Sequence, residues 1–175
     1  MKARLEVYFD GSVQGNPGPG WIGVLALLDG QVLEEESLPI GKTTSNAAEY
    51  RAFIHAIELA RKLAPDEVVF YSDSQLLVNQ VLGKFACKSE HLRRLLAQAQ
   101  ELLRQLPKWE LIKVPREKNL AHRLARGPEE RPWKVFCLRL TLEEFAQLKA
   151  LAHAKRMKPG ELVREWVREK LGRND

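Results

Sequence analysis

Residues 4–20 read RLEVYFDGSVQGNPGPG, and this stretch decides the fold. Leu5, Val7 and Phe9 alternate with Arg4, Glu6 and Tyr8, the period-two pattern of a strand with one covered face. Asp10 ends that strand in this reading, and Gly15-Asn16-Pro17-Gly18-Pro19-Gly20 reads as a loop. Working outward, residues 21–28 and 31–38 form a hairpin turning at Asp29-Gly30. From Ala47, the residues Tyr50, Ile54, Ile57 and Leu63 keep helical spacing until Pro65 ends the helix. Residues 67–71 read as a strand, 74–82 and 90–106 as helices, 109–114 as a strand and 118–126 as a last short helix. Three strands in a meander, then strand–helix alternation, predict an α/β fold: a mixed five-stranded sheet with helices on its faces.

The organisation changes at Ala125-Arg126-Gly127-Pro128-Glu129-Glu130-Arg131-Pro132, where two prolines and a glycine among charges read as a linker over 127–132. It separates a domain of residues 1–126 from a tail of residues 133–175. Residues 1–127 hold 17 Lys+Arg against 15 Asp+Glu, and residues 128–175 hold 11 against 8, so the short tail is the more basic part. A formal net charge of +5 favours a polyanionic partner. No apolar run approaches the ~20 residues of a membrane span. Met1-Lys2-Ala3-Arg4-Leu5 lacks the pattern of a signal peptide, and Cys87 and Cys137 are too few for a disulfide framework, so a cytoplasmic setting is expected.

Three acids stand out: Asp10 and Asp73 at the ends of two strands, and Glu49 in the first turn of the first long helix. In an open α/β sheet the ends of neighbouring strands form the crevice that binds ligands. Crowded carboxylates repel one another, so such a cluster makes sense where it holds hard cations such as Mg²⁺. Two such ions ~3.5–4 Å apart serve in-line phosphoryl displacement. Each acid also has a purely structural reading. Asp10-Gly11 fits a turn, Asn46-Ala47-Ala48-Glu49 a capping box and Ser72-Asp73-Ser74 an N-cap.

Taken together, four motifs resemble a type 1 ribonuclease H domain over residues 4–126: Tyr8-Phe9-Asp10-Gly11-Ser12 with the following loop, Thr43 to Tyr50, Tyr71-Ser72-Asp73-Ser74-Gln75, and Val114-Pro115-Arg116-Glu117-Lys118-Asn119 leading into Ala121 to Ala125. The resemblance implies endonucleolytic hydrolysis of the RNA strand of an RNA–DNA hybrid, with 5′-phosphate and 3′-hydroxyl ends; the acid cluster itself suits two divalent ions per site, Mg²⁺, or Mn²⁺ where an imidazole joins the ligands. Carried over by position, Asp10, Glu49 and Asp73 are metal ligands and catalytic. Asn16, Thr44, Asn46 and Gln75, with the backbone at Gly11 and Ser12, meet the substrate. The family's fourth carboxylate is replaced by His122, whose imidazole can ligate a metal or pass protons while removing one negative charge. A lapsed nuclease that only binds hybrid is the alternative this replacement opens.

The tail reads as strand, helix, helix. Phe136, Leu138 and Leu140 alternate with Val135, Cys137 and Arg139 over residues 134–140. Thr141-Leu142-Glu143-Glu144 is a capping box, Phe145, Leu148 and Ala152 share a stripe, and Leu162, Val163, Trp166 and Val167 mark a second apolar helix face. This pattern resembles the ribbon-helix-helix family of DNA-binding dimers. It implies a homodimer, with Val135, Cys137 and Arg139 facing duplex DNA, and opens a further alternative, a DNA-binding regulator.

Overall fold

The computed structural model describes residues 4–127, 140–155 and 157–170. The chain divides into two compact units, Met1–Val135 and Phe136–Asp175.

In the first unit a five-stranded sheet has the order β3-β2-β1-β4-β5. Strands β1 (Arg4–Val13), β2 (Gly18–Leu28) and β3 (Gln31–Thr43) form an antiparallel meander. Strands β4 (Glu67–Ser72) and β5 (Trp109–Lys113) continue the sheet parallel to β1. The mixed sheet is the one the sequence predicts, with β1 to β4 longer and β5 one residue shorter than expected. β1 runs on past Asp10, and Gly18-Pro19-Gly20 belongs to β2 because the glycines allow close pairing with Gly41 to Thr43. The β2–β3 turn places Asp29 (φ 51°) and Gly30 (φ 75°) in the left-handed region, the conformation a tight two-residue hairpin requires.

Helix α1 (Ser45–Leu63) covers one sheet face. Leu5, Val7 and Phe9 of β1 pack with Phe53 and Ile57 of α1 and Phe70 of β4; the Phe9 and Phe53 rings stack at 4.9 Å, and Phe53 meets Phe70 edge-on at 5.4 Å. α1 is capped by Thr44, whose hydroxyl accepts the Ala47 N–H. That corrects the capping box at Asn46–Glu49: Asn46 lies inside the helix, because β3 runs straight to Thr43 and leaves Thr44 as the last extended residue. Helices α2 (Gln75–Val81), capped by Ser74, and α3 (Glu90–Leu103), capped by Ser89, complete this layer.

The opposite sheet face carries a smaller cluster of Leu25, Leu27 and Leu124 with Tyr8, whose ring stacks on Tyr71 at 4.5 Å. Here the expected helix over 118–126 is replaced by two 3₁₀ turns, Arg116–Lys118 and Leu124–Arg126. The Asn119 side chain breaks the run by accepting the Ala121 N–H. Gly23 makes room for the segment, since a Cβ there would lie 2.5 Å from Leu124 Cβ and 2.6 Å from Ala125 N. The Ser12 hydroxyl donates to Ala125 O, Ser37 Oγ to Leu124 O (2.6 Å), and Arg123 pairs with Glu35 (3.1 Å).

The second unit contains α4 (Leu142–Ala154) and α5 (Pro159–Lys170). The Thr141–Glu144 capping box forms, and proline occupies the first helical position of α5, where its missing N–H costs nothing. The expected strand over 134–140, with Val135, Cys137 and Arg139, lies outside the described residues apart from Leu140. Among the described residues no helix is long and apolar enough to cross a membrane.

Candidate active site

β1 and β4 are parallel neighbours, so residues just past their paired segments stand side by side. Asp10 projects from β1 on the face opposite α1, is 4% exposed, and pairs across the ladder with Gly23. Asp73 follows the last residue of β4. His122 comes from the segment laid over Gly23. Ligand atoms of Asp10, Asp73 and His122 all lie within 4.8 Å of one another. Glu49 approaches from α1, whose first turn touches Gly11: a Cβ at Gly11 would stand 2.2 Å from Ala48 C.

The electrostatics are those of acids forced together. Burial pushes the Asp10 carboxyl up to about 6, with Asp73 adding to the rise while the hydrogen bond from His122 and the Gly11 N–H oppose it. Glu49 is raised well above the ordinary range by burial, then by Asp10 and Asp73; the Gly11 N–H and the Arg116 guanidinium pull the other way. Glu49 Oε2 is buried and has no hydrogen-bond partner. An orphaned carboxylate oxygen beside two further acids is a donor set lacking a positive charge. Hard oxygen ligands suit Mg²⁺ or Mn²⁺.

Around this cluster Asn16, Thr44, Asn46 and Gln75 lie on the exposed rim, whereas Gly11 is buried and Ser12 half-buried. Asn16 Oδ1 accepts the Ser45 N–H (3.2 Å), which brings the β1–β2 loop to the start of α1 beside Thr44 and Asn46. Gln75 opens α2, two residues after Asp73, and is exposed. Gly11 and Ser12 continue β1 beyond Asp10. Asn119 and Arg116 also belong to the site, although the sequence marks no role for either. Asn119 Nδ2 donates to Phe9 O (2.9 Å) and Asp73 Oδ1 (2.6 Å), and Arg116 Nε donates to His122 Nε2 (3.2 Å). The only signal in the sequence was their place in the fourth motif.

The strand order, the helix on one face and the acids at the ends of β1 and β4 define an α/β domain of ribonuclease H architecture. The solved RNase H1 from the halophilic archaeon Halobacterium salinarum NRC-1 is similar with a TM-score of 0.68 and 39% identity, covering 70% of this chain and 94% of that one. Residues 8–127 match the family described as reverse transcriptase-like, and the chain belongs to that family. The ribonuclease HI of Halobacterium salinarum is 40% identical over 117 residues, which cover 66% of this chain and 59% of the relative. This chain therefore spans about three-fifths of that relative's length. LC11-RNase H1, solved in complex with an RNA/DNA hybrid, is 38% identical with a TM-score of 0.64, covering 69% of this chain and 93% of that one.

Proposed function

We propose that this chain is a divalent-metal-dependent endoribonuclease that hydrolyses the RNA strand of RNA–DNA hybrids, leaving 5′-phosphate and 3′-hydroxyl ends. The observation that carries the reading is the meeting of Asp10 and Asp73 at the ends of β1 and β4, with the orphaned Glu49 carboxylate of α1 near enough for both acids to raise its pKa. The similarity to a structure holding an RNA/DNA hybrid supports the substrate class.

Asp10, Glu49 and Asp73 would hold the cations. When bound, two divalent ions supply Lewis acidity for the attacking water and for the leaving oxygen of the phosphodiester. The chain's own groups do the rest. Gly11 and Ser12 offer backbone at the cleavage point, while Asn16, Thr44, Asn46 and Gln75 present neutral donors and acceptors along the rim. Such groups can test a 2′-hydroxyl, which only the RNA strand carries. Labelled hybrid, single-stranded RNA and duplex DNA incubated with Mg²⁺, Mn²⁺ or EDTA make the test. Cleavage is expected only for the RNA of the hybrid and only with metal. Cutting that survives EDTA, or a hybrid left intact under both metals, overturns the proposal.

A specific observation supports a homodimer made by the tail. Between α4 and α5 lies a groove of about 460 Å³ lined by Leu140, Leu148, Leu151, Val163, Trp166 and Val167. Leu151, Trp166 and Val167 are exposed, and the unit Phe136–Asp175 is near the size below which a domain seldom folds without a metal, disulfide or partner. A second copy covering that groove would pair two hybrid-binding surfaces and raise avidity. The full-length chain should sediment as a dimer at micromolar concentration, and loss of residues 128–175 should leave a monomer that still cuts but binds hybrid more weakly. A full-length monomer removes the dimer reading. Sequence-selective binding of duplex DNA by the full chain would add the role of the ribbon-helix-helix resemblance.

A further inference from the structure

One short segment supplies a hydrogen-bond donor to each of two acids. Asn119 is 4% exposed and fully engaged: Nδ2 reaches Phe9 O and Asp73 Oδ1, and Oδ1 accepts the Ala121 N–H. Three residues on, His122 Nδ1 lies 2.6 Å from Asp10 Oδ2. The other ring nitrogen, Nε2, meets Arg116 Nε at 3.2 Å and Arg126 Nη2 at 3.3 Å. A guanidinium has five donors and no acceptor. Nε2 must therefore offer its lone pair to the arginines, and the ring proton sits on Nδ1, aimed at Asp10. A ring nitrogen that carries its proton has no lone pair left for a cation.

The backbone around these side chains is tied down. The Ser12 and Ser37 hydroxyls hold Ala125 O and Leu124 O, Arg123 pairs with Glu35, and Gly23 lets the segment lie flat on β2. His122 thus reaches Asp10 from a frame fixed to three strands, and Asn119 ties β1 to Asp73 in the same way.

We propose that Asn119 and His122 are positioning residues, a donor clip that fixes one oxygen of Asp73 and one of Asp10 and so aims the remaining oxygens at the divalent ions. His122 serves Asp10 instead of replacing the missing fourth carboxylate as a ligand. A carboxylate with one oxygen pinned keeps fewer orientations, so less freedom is lost when it takes a cation. Arg116 and Arg126 act at one remove by setting which nitrogen of His122 carries the proton. This rests on the proposed function only for the presence of the divalent ions.

The test uses full-length ¹⁵N-labelled protein at pH 7.5, with nitrogen NMR of His122 before and after saturation with Mg²⁺. The proton is expected on Nδ1 in both states. A proton on Nε2 in the free protein, or one that moves there as Mg²⁺ binds, overturns the proposal and makes His122 a ligand. Mn²⁺ calorimetry on variants gives the second reading. His122→Asn places an amide N–H where Nδ1 stood and should stay within ~3-fold of the parent affinity, while His122→Ala and Asn119→Ala should each bind ~10-fold more weakly. Equal affinities in all three variants, whatever their melting temperatures, overturn the clip. A chain that binds Mg²⁺ but leaves hybrid intact defeats the proposed function alone. One that takes up no divalent cation defeats both.

Discussion

Asp10→Asn is expected to slow hybrid cleavage by at least ~100-fold while making the metal-free protein more stable at pH 8. Both effects come from one charge. Asp10 is 4% exposed, and burial with Asp73 nearby pushes its carboxyl up to about 6. A carboxyl that ionises less readily when folded than in the unfolded chain, where its value is near 4, makes folding less favourable as the pH rises. The sign is fixed: stability is greatest below about 4, falls as the pH climbs through about 6, and stays lower above it. Asparagine never ionises and still accepts the hydrogen bond from His122, so the variant should gain about 3 kcal/mol at pH 8 and less than ~1 kcal/mol at pH 4. The loss of rate corresponds to about 3 kcal/mol of transition-state stabilisation. Parent protein should melt higher when Mg²⁺ is added at pH 8, and Asp10→Asn should not. Scanning calorimetry at the two pH values, with and without Mg²⁺, reads these effects beside the cleavage assay. Full activity in Asp10→Asn would sink the assignment, and an equal gain in stability at pH 4 would sink its electrostatic cause.

Much of this site was legible because its parts are local. Alternation at Leu5, Val7 and Phe9 marks β1, Asp29-Gly30 marks the hairpin, and acids following β1 and β4 fall side by side wherever parallel strands are neighbours. The strand's true end was not legible. Glycine at 11 reads as a turn signal, yet Gly11 continues β1 to Val13 because the bare backbone is needed for contact with α1. The helix cap lies two residues before the Asn46 that the sequence suggests, since Thr44 and Asn46 are both good caps and only the length of β3 decides between them. The segment 116–126 was the least readable. Its residues have helical composition, but its geometry is set by partners far along the chain: Asn119 bonds Phe9 and Asp73, and His122 bonds Asp10. Contacts of that range override local propensity and leave no periodic trace.

The second large effect is expected from a single methyl group at Gly11. This residue stands on the face of β1 that carries Leu5, Val7 and Phe9 and meets the first turn of α1. A Cβ there would lie 2.2 Å from Ala48 C, 2.4 Å from Ala48 O and 2.5 Å from Glu49 N, all backbone atoms. No rotamer change can relieve such a clash, so either β1 bends or the start of α1 withdraws. That turn also carries Glu49, whose carboxylate is steadied by the Gly11 N–H, so withdrawal opens the acid cluster. Overpacking against rigid atoms costs about 3 kcal/mol, a fall in Tm on the order of 10 °C for a chain this size. Displacement of a catalytic group by about 1 Å is worth roughly 100-fold in rate, so Gly11→Ala should lose activity at saturating Mg²⁺ even at temperatures where it is folded. Gly23→Ala provides the contrast. Its Cβ would meet Leu124 Cβ at 2.5 Å, Ala125 N at 2.6 Å and Ala121 O at 2.8 Å, atoms of the segment that carries Asn119 and His122, so any shift that relieves the clash moves those two side chains off Asp73 and Asp10. That variant should lose metal affinity with a smaller fall in Tm, because the core between β1 and α1 is untouched. Parental Tm and rate in Gly11→Ala would mean that strand and helix do not approach this closely, and that Glu49 is held in place by something other than the glycine beneath it.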